Sequence, residues 1–135
     1  MVTMTAQERR DLEREEFDAY LSNCPSRQLL DRISNKWVML VICALGDEGT
    51  MRYSEIARRL AGVSQKMLTQ TLRSLERDGL VMREVTPSVP VRVDYSLTVL
   101  GDSLLGTIQH VKSWAEEHMA RVDEERRRYD RRSAQ

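Results

Sequence analysis

Apolar side chains recur at three- and four-residue intervals over most of the chain, which is the period of helices that bury one face. The pattern predicts a helix over residues 7–22 and a second that begins at Pro25, a residue suited to the first helical position. A third helix over residues 36–45, with Leu40 on its main stripe and Gly46 at its end, is apolar on nearly every face. We therefore expect this third helix to form the core.

Two further helices follow, with a tight turn between them. The first is predicted near residues 54–60 and the second over residues 65–78, with the turn at 61–63. Ser64 is a good N-cap for the second helix, and Gly79 stands where a left-handed residue commonly ends a helix. This order is typical of a helix-turn-helix, here placed at residues 54–78.

The period then shortens to two, which is the period of a strand. Strands are predicted over 80–85 and over 91–97, where Val91 begins the apolar face, so residues 80–97 form a hairpin. A last helix over 99–128 would be roughly 45 Å long, more than a small domain can cover. The predicted fold is mainly α with a small β-hairpin wing: a winged helix-turn-helix forming one domain over 1–135, with 7–22 and 99–128 as dimerisation helices.

Charge is distributed unevenly in a chain whose formal net charge is zero. Residues 1–20 carry three arginines against six acids, a net of −3, whereas residues 51–77 carry six basic side chains against two acids, a net of +4. A basic segment in a neutral chain is a candidate phosphate-binding surface, although a solvated helix surface would look the same.

Composition also limits the location and chemistry of the protein. Residues 1–20 are too acidic for a signal peptide, and no apolar run approaches the roughly 18 residues of a membrane span, so we expect a cytoplasmic protein without membrane contact. Two cysteines then imply no structural disulfide. The sequence holds no phosphate loop or paired nucleophile and base, and His110 and His118 are poorly spaced for a shared site. We expect no enzyme, no catalytic residue, no metal and no cofactor.

The second helix of the helix-turn-helix presents side chains that suit the DNA major groove once its leucines are buried. Glutamine can bond adenine, arginine or lysine can bond guanine, and threonine can meet a methyl group. The predicted base-reading and capping residues are Ser64, Gln65, Lys66, Thr69, Gln70 and Arg73. The predicted phosphate contacts are Arg58, Arg59, Arg83 and Arg92. The alternative is a winged-helix module that binds protein without DNA, which should show more apolar residues on this face.

Several segments of the chain carry a recognisable pattern: Cys24-Pro25, Lys36-Trp37, Tyr53-Ser54-Glu55-Ile56, residues 63–81 and residues 95–101. In these segments the chain resembles the HxlR-type winged-helix regulators of the broad MarR-like class. The resemblance spans about residues 24–114, and it departs at Ser34-Asn35 and at Val91. It implies a dimeric bacterial repressor or activator. With two recognition helices about 34 Å apart, such a homodimer would read a near-palindromic double-stranded operator.

In some members of this family, the cysteine before the proline senses oxidants, quinones or aldehydes, and here that residue is Cys24. A thiol at a helix N-terminus has a lowered pKa, and the side chain of Arg27 could add to this. A small electrophile or oxidant would then be the inducer. The alternative is an N-cap with no redox role. Cys43, inside the apolar helix, is interpreted as inert packing.

Overall fold

The computed structural model describes residues 3–134, so both ends of the domain predicted over 1–135 lie outside the described residues. The described residues fall into two units that divide between Lys36 and Trp37. The first contains α1 (Ala6–Asn23) and α2 (Pro25–Ile33). The elements that follow are α3 (Lys36–Glu48), β1 (Thr50–Arg52), α4 (Tyr53–Arg59), α5 (Gln65–Arg77), β2 (Val81–Thr86), β3 (Arg92–Leu97) and α6 (Val99–Ser133).

Helix α3 supplies the centre of the core in the second unit. Val38, Val41, Ile42 and Leu45 are all buried, at the i, i+3, i+4, i+7 spacing of one helix face. Leu40, expected on the inner stripe, is instead 45% exposed. The core is completed by apolar residues of the other elements, chiefly Ile56, Leu68, Leu72, Leu75, Val81, Leu105 and Ile108.

The prediction that Gly46 ends the third helix is wrong, because α3 continues to Glu48. A Cβ at Gly46 would collide with Leu105 of α6, so the glycine permits a close approach of the two helices. The chain leaves the helix at Gly49, whose φ of +86° lies in the left-handed region and whose N–H donates to Leu45 O at 2.8 Å.

The limits of α5 agree with the predicted signals to within a residue. The Ser64 hydroxyl accepts a hydrogen bond from Met67 N at 3.0 Å, as an N-cap should. At the other end, Gly79 has φ +74°, and the N–H of Leu80 donates to Leu75 O at 3.0 Å. This hydrogen bond and the left-handed glycine are the features of a Schellman motif, which turns the chain directly into β2.

The wing is a three-stranded antiparallel sheet in the order β1-β3-β2, where a two-stranded hairpin was predicted. Strand β1 pairs with β3 through Met51 opposite Tyr95, and β2 pairs with β3 through Arg83 opposite Tyr95. Val91 lies outside β3 and is exposed. The extra strand joins the start of α4 to the wing.

Helix α6 is tied to the end of α5 at its first turn. The Thr98 hydroxyl donates to Gly79 O at 2.6 Å and accepts from Gly101 N at 3.0 Å. A Cβ at Gly101 would collide with the carbonyl oxygen of Leu80, so only glycine allows this approach. The helix runs 35 residues, five beyond the predicted limit of 128. None of the helices in the described part of the chain is long and apolar enough to cross a membrane.

The first unit consists of α1 and α2, which are joined at Cys24. Few of its apolar side chains are covered within one chain: Phe17 and Tyr20 on α1 are 60% and 70% exposed, and α2 has no buried residue.

Candidate nucleic-acid interface

Helix α5 separates its apolar and polar residues cleanly. Leu68, Leu72 and Leu75 are buried, whereas Gln65, Lys66, Gln70 and Arg73 are exposed, as is Ser64 at the cap. At about 100° per residue, Lys66, Gln70 and Arg73 lie within about 60° of one another on the side away from the leucines. Gln65 lies closer to the direction of Leu72, but it is exposed in the first turn of the helix. The helix therefore offers a polar face with amide and cationic groups, of the size and chemistry that enter a major groove.

Thr69 lies at the edge of this face and is partly buried. The hydroxyl of Tyr53, the first residue of α4, donates to Gln65 O at 3.1 Å and lies 3.2 Å from the Thr69 hydroxyl. Because Tyr53 has one proton to donate, Thr69 can donate in return. This pair joins the two helices of the motif and orients the first turn of α5, a role that the sequence analysis did not assign to Tyr53.

The two wing arginines lie on opposite faces of the sheet. Residues directly opposite in an antiparallel pair share a face, so Arg83 lies on the face of Tyr95, toward α5. Arg92 pairs with Thr86 on the other face, and its guanidinium binds the Asp94 carboxylate at 3.0 Å. The two predicted phosphate contacts therefore belong to different surfaces.

The two arginines of α4 also differ in their surroundings. Arg58 is exposed. Arg59 binds the carboxylates of Asp47 and Glu48 at 2.6 and 2.5 Å and so ties α4 to the end of α3. A phosphate contact from Arg59 would have to compete with these two ion pairs. The sequence pattern did not indicate this, because the partners are 11 and 12 residues away.

A groove of about 380 Å³ lies between α5 and the wing. Its α5 side is formed by Thr69, Leu72, Arg73 and Glu76, which follow the i, i+3, i+4, i+7 pattern of one helix face. The remaining lining residues are Tyr53, Arg83 and Tyr95. The groove thus brings together predicted residues from the helix and from the wing, together with two tyrosines and a glutamate that were not predicted.

The two cysteines occupy contrasting environments. Cys24 is the N-cap of α2, and its thiol makes no short capping hydrogen bond. Even so, the backbone N–H groups of Arg27 and Ser26 lower the pKa of the Cys24 thiol, because they stabilise the thiolate. The side chain of Arg27 does not carry the expected effect, since it pairs with Asp31 at 3.3 Å. Burial raises the pKa of the Cys43 thiol.

The histidines and acids show no metal-binding arrangement. Within residues 3–134, no three His, Cys, Asp or Glu side chains are grouped so as to hold a metal ion. His118 stacks on Trp114 with 4.8 Å between ring centroids, and its Nδ1 donates to Trp114 O at 2.9 Å.

Residues 32–123 match the HxlR-like helix-turn-helix family. The chain belongs to that family. It is 39% identical over 107 residues to the HTH-type transcriptional regulator YtfH of Escherichia coli, which is itself uncharacterized. The matched region covers 79% of this chain and 84% of YtfH. The family consists of transcriptional regulators rather than enzymes, and its helix-turn-helix implies DNA binding.

Solved structures support the same assignment. The redox regulator HypR in its reduced form aligns with a TM-score of 0.71 at 37% identity, over 75% of this chain and 99% of that one. The reduced form of the transcriptional regulator YodB from B. subtilis aligns with a TM-score of 0.62 at 35% identity, over 70% and 93%. The fold is therefore the predicted mainly helical winged helix-turn-helix, with a three-stranded wing and a long C-terminal helix.

Proposed function

We propose that this regulator recognises a specific double-stranded DNA sequence through the exposed polar face of α5. The observation that carries the proposal is the separation on α5 between buried leucines and exposed Gln65, Lys66, Gln70 and Arg73. A surface for binding protein would be expected to present apolar side chains here. Ser64 caps this helix, and Thr69 is held by Tyr53, so both orient the reading side chains.

The test begins with a duplex selected from a random library by the full-length protein. Gln70→Ala should weaken binding to that duplex by about 1–3 kcal/mol and relax preference at one base pair, as expected for a lost bidentate contact to adenine. The measurement is fluorescence anisotropy on the selected duplex and a scrambled one. Gln109→Ala, at an exposed position of α6, is the matched control. Equal affinity of the wild-type protein for both duplexes would contradict sequence-specific recognition.

We infer that the protein acts as a homodimer on a near-palindromic operator. Apolar side chains on α6 are exposed in the single chain, including Val111 at 52% and Trp114 at 54%, and so are Phe17 and Tyr20 of α1. Such surface is normally covered by a partner. A two-fold axis would then set the two α5 helices about 34 Å apart, one turn of DNA. Whether the dimer represses or activates depends on where its operator lies relative to the promoter.

We further propose that Cys24 senses electrophiles or oxidants. Support comes from the lowered pKa of its thiol and from its partial exposure at the start of α2. Of the two structural relatives, HypR is described as a redox regulator and YodB as a transcriptional regulator in its reduced form. With a quinone, the thiolate sulfur would add to a ring carbon, forming one S–C bond while the ring C=C π bond breaks. The enolate oxygen takes up one proton from solvent, and the hydrogen of the attacked carbon moves to the other oxygen, which leaves a hydroquinone thioether.

Benzoquinone treatment tests this sensing proposal directly. We expect the treated protein to change its affinity for the selected duplex, because a bulky adduct at a helix start alters the spacing of the two DNA-binding halves. Cys24→Ser should abolish the response, and Cys43→Ser should retain it. Mobility shift and mass spectrometry of the adduct are the measurements. If Cys24→Ser responds like the wild type, Cys24 serves only as an N-cap.

A further inference from the structure

The groove between α5 and the wing contains two arginines on facing elements. Arg73 approaches from the helix and Arg83 from β2, with Tyr53 and Tyr95 completing the lining. Glu76 is the one acid among these lining residues, which leaves a net charge of +1. Guanidinium and phenol groups are donors that bind phosphate oxygens. The two arginines of this groove come from different elements, whereas the group formed by Arg128, Arg131 and Arg132 lies on the single helix α6.

Tyr95 adds an independent observation. The residue as a whole is only 9% exposed and lines the groove, and its hydroxyl has no hydrogen-bond partner within residues 3–134. Among the described side chains, the hydroxyl is not one of the fully buried unpaired atoms, so it remains accessible although the ring is buried. The Tyr95 hydroxyl is therefore an accessible donor on a fixed ring, and an acceptor from outside the chain would replace water on it.

The shape of duplex DNA indicates which acceptor this is. If α5 lies in the major groove and the wing reaches the neighbouring minor groove, one sugar-phosphate strand must pass between them, because a strand separates every two adjacent grooves. The surface between α5 and the wing is then opposite a phosphodiester. Arg92, on the far face of the sheet and paired with Asp94, is not on that path.

We propose that Arg73, Arg83 and the Tyr95 hydroxyl bind one DNA backbone phosphate per protomer, and that Glu76 weakens this contact. This inference rests on the proposed DNA-binding function and assigns Arg73 to phosphate rather than to a base. The groove then sets the register of α5 on the duplex, whereas Gln65, Lys66 and Gln70 are left to read bases. Positioning by phosphate contacts and reading by base contacts is the usual division of roles.

Substitutions of the charged groove residues should change DNA affinity in opposite directions, which a purely structural role of these residues would not produce. Arg83→Gln should weaken binding about tenfold per protomer at 0.1 M salt and lower the slope of log K against log salt by about one per protomer, equally on selected and scrambled duplexes. Arg73→Gln should do the same. Glu76→Gln should strengthen binding several-fold on both duplexes. Arg127→Gln, which removes one cation from the exposed surface of α6, is the matched control. Thermal unfolding of each variant checks that the fold is retained.

The decisive experiment removes single phosphate charges. The selected duplex is synthesised with one methylphosphonate at each backbone position in turn, and the affinity of the wild-type protein is measured for each. We expect one position per half-site whose neutralisation costs the wild type about tenfold but costs Arg83→Gln and Arg73→Gln almost nothing more. Arg127→Gln should keep the full sensitivity at that position.

Two different results overturn the proposal, and they separate it from the proposed function. If Arg83→Gln and Arg73→Gln remain as sensitive as the wild type at every position, the groove holds no phosphate, although DNA binding stands. If Arg73→Gln weakens only the selected duplex, Arg73 reads a base and the assignment made here is wrong. If the wild-type protein selects and binds no duplex, the DNA-binding function itself fails and the phosphate site fails with it.

Discussion

At the scale of single residues, side chains of the same type have different partners and different burial, which the sequence does not reveal. Arg83 faces the groove beside α5, whereas Arg92 is held by Asp94 on the other side of the same sheet. The two cysteines differ in the same way. Backbone N–H groups stabilise the thiolate of Cys24, whereas burial destabilises the thiolate of Cys43.

The contrast between the cysteines predicts their reactivity toward alkylating agents as pH changes. A lowered pKa keeps Cys24 in the thiolate form to lower pH, so its alkylation by iodoacetamide should reach half its maximal rate below the pH of an ordinary thiol. Cys43 should reach half its maximal rate above that pH, because its pKa is raised. Rates are measured by mass spectrometry on Cys43→Ser and Cys24→Ser, which report one thiol each. Identical pH profiles for the two thiols would contradict these assignments.

At the scale of elements, glycines decide how closely the helices approach their neighbours. Gly46 in α3 faces Leu105 of α6, and Gly101 in α6 faces the carbonyl of Leu80. Gly106 in the same helix has open space where a Cβ would be placed. Two glycines in one helix therefore have opposite structural roles.

This difference predicts opposite effects for the same substitution in α6. Gly101→Ala should destabilise the protein by about 1–3 kcal/mol, because the new methyl group must push aside the Leu80 backbone. Gly106→Ala should stabilise it by about 0.5–1 kcal/mol, since alanine loses less backbone entropy in a helix. Urea unfolding followed by circular dichroism measures both values. A stabilising Gly101→Ala would show that α6 and Leu80 do not approach as closely as described.

At the scale of the whole molecule, the exposed apolar side chains of α6 mark surface that one chain does not cover. Val111 and Trp114 are about half exposed, whereas Ile108, one turn earlier on the same helix, is buried. One face of α6 thus packs into the core of its own chain. Val111 and Trp114 add apolar surface outside that face, and the proposed dimer would bury this surface.

A charge placed on this surface tests the proposed assembly. Val111→Glu should convert the dimer to a monomer, because an unpaired carboxylate in an apolar interface is costly to desolvate. Val89→Glu, at a fully exposed site before β3, introduces the same charge and should leave the dimer intact. Sedimentation velocity at micromolar concentration gives the masses. A monomeric wild-type protein would contradict the dimer, and a dimeric Val111→Glu would place the interface elsewhere.

The sequence alone determined those elements whose signals are local. Helix α5 is the clearest case, because Ser64, the leucine spacing and Gly79 all lie within its own 16-residue neighbourhood. The polar face of that helix, and hence the class of function, was predictable for the same reason. The limits of α1 and α4 came within a residue or two, and the strands of the hairpin followed from their period of two.

Tertiary structure decided everything that depends on two distant segments meeting. Strand β1 has three residues, too few to show a period, and exists because it pairs with β3. Gly46 carries an apparent stop signal, yet α3 continues past it to Glu48, and the missing side chain leaves room for Leu105, far along the chain. The groove beside α5 has the same origin. Helical spacing places Arg73 on its face, but only the packing of α5 against β2 and the register of β2 on β3 bring Arg83 and Tyr95 to it. Local physics sets which elements form, and long-range packing sets which side chains share a site.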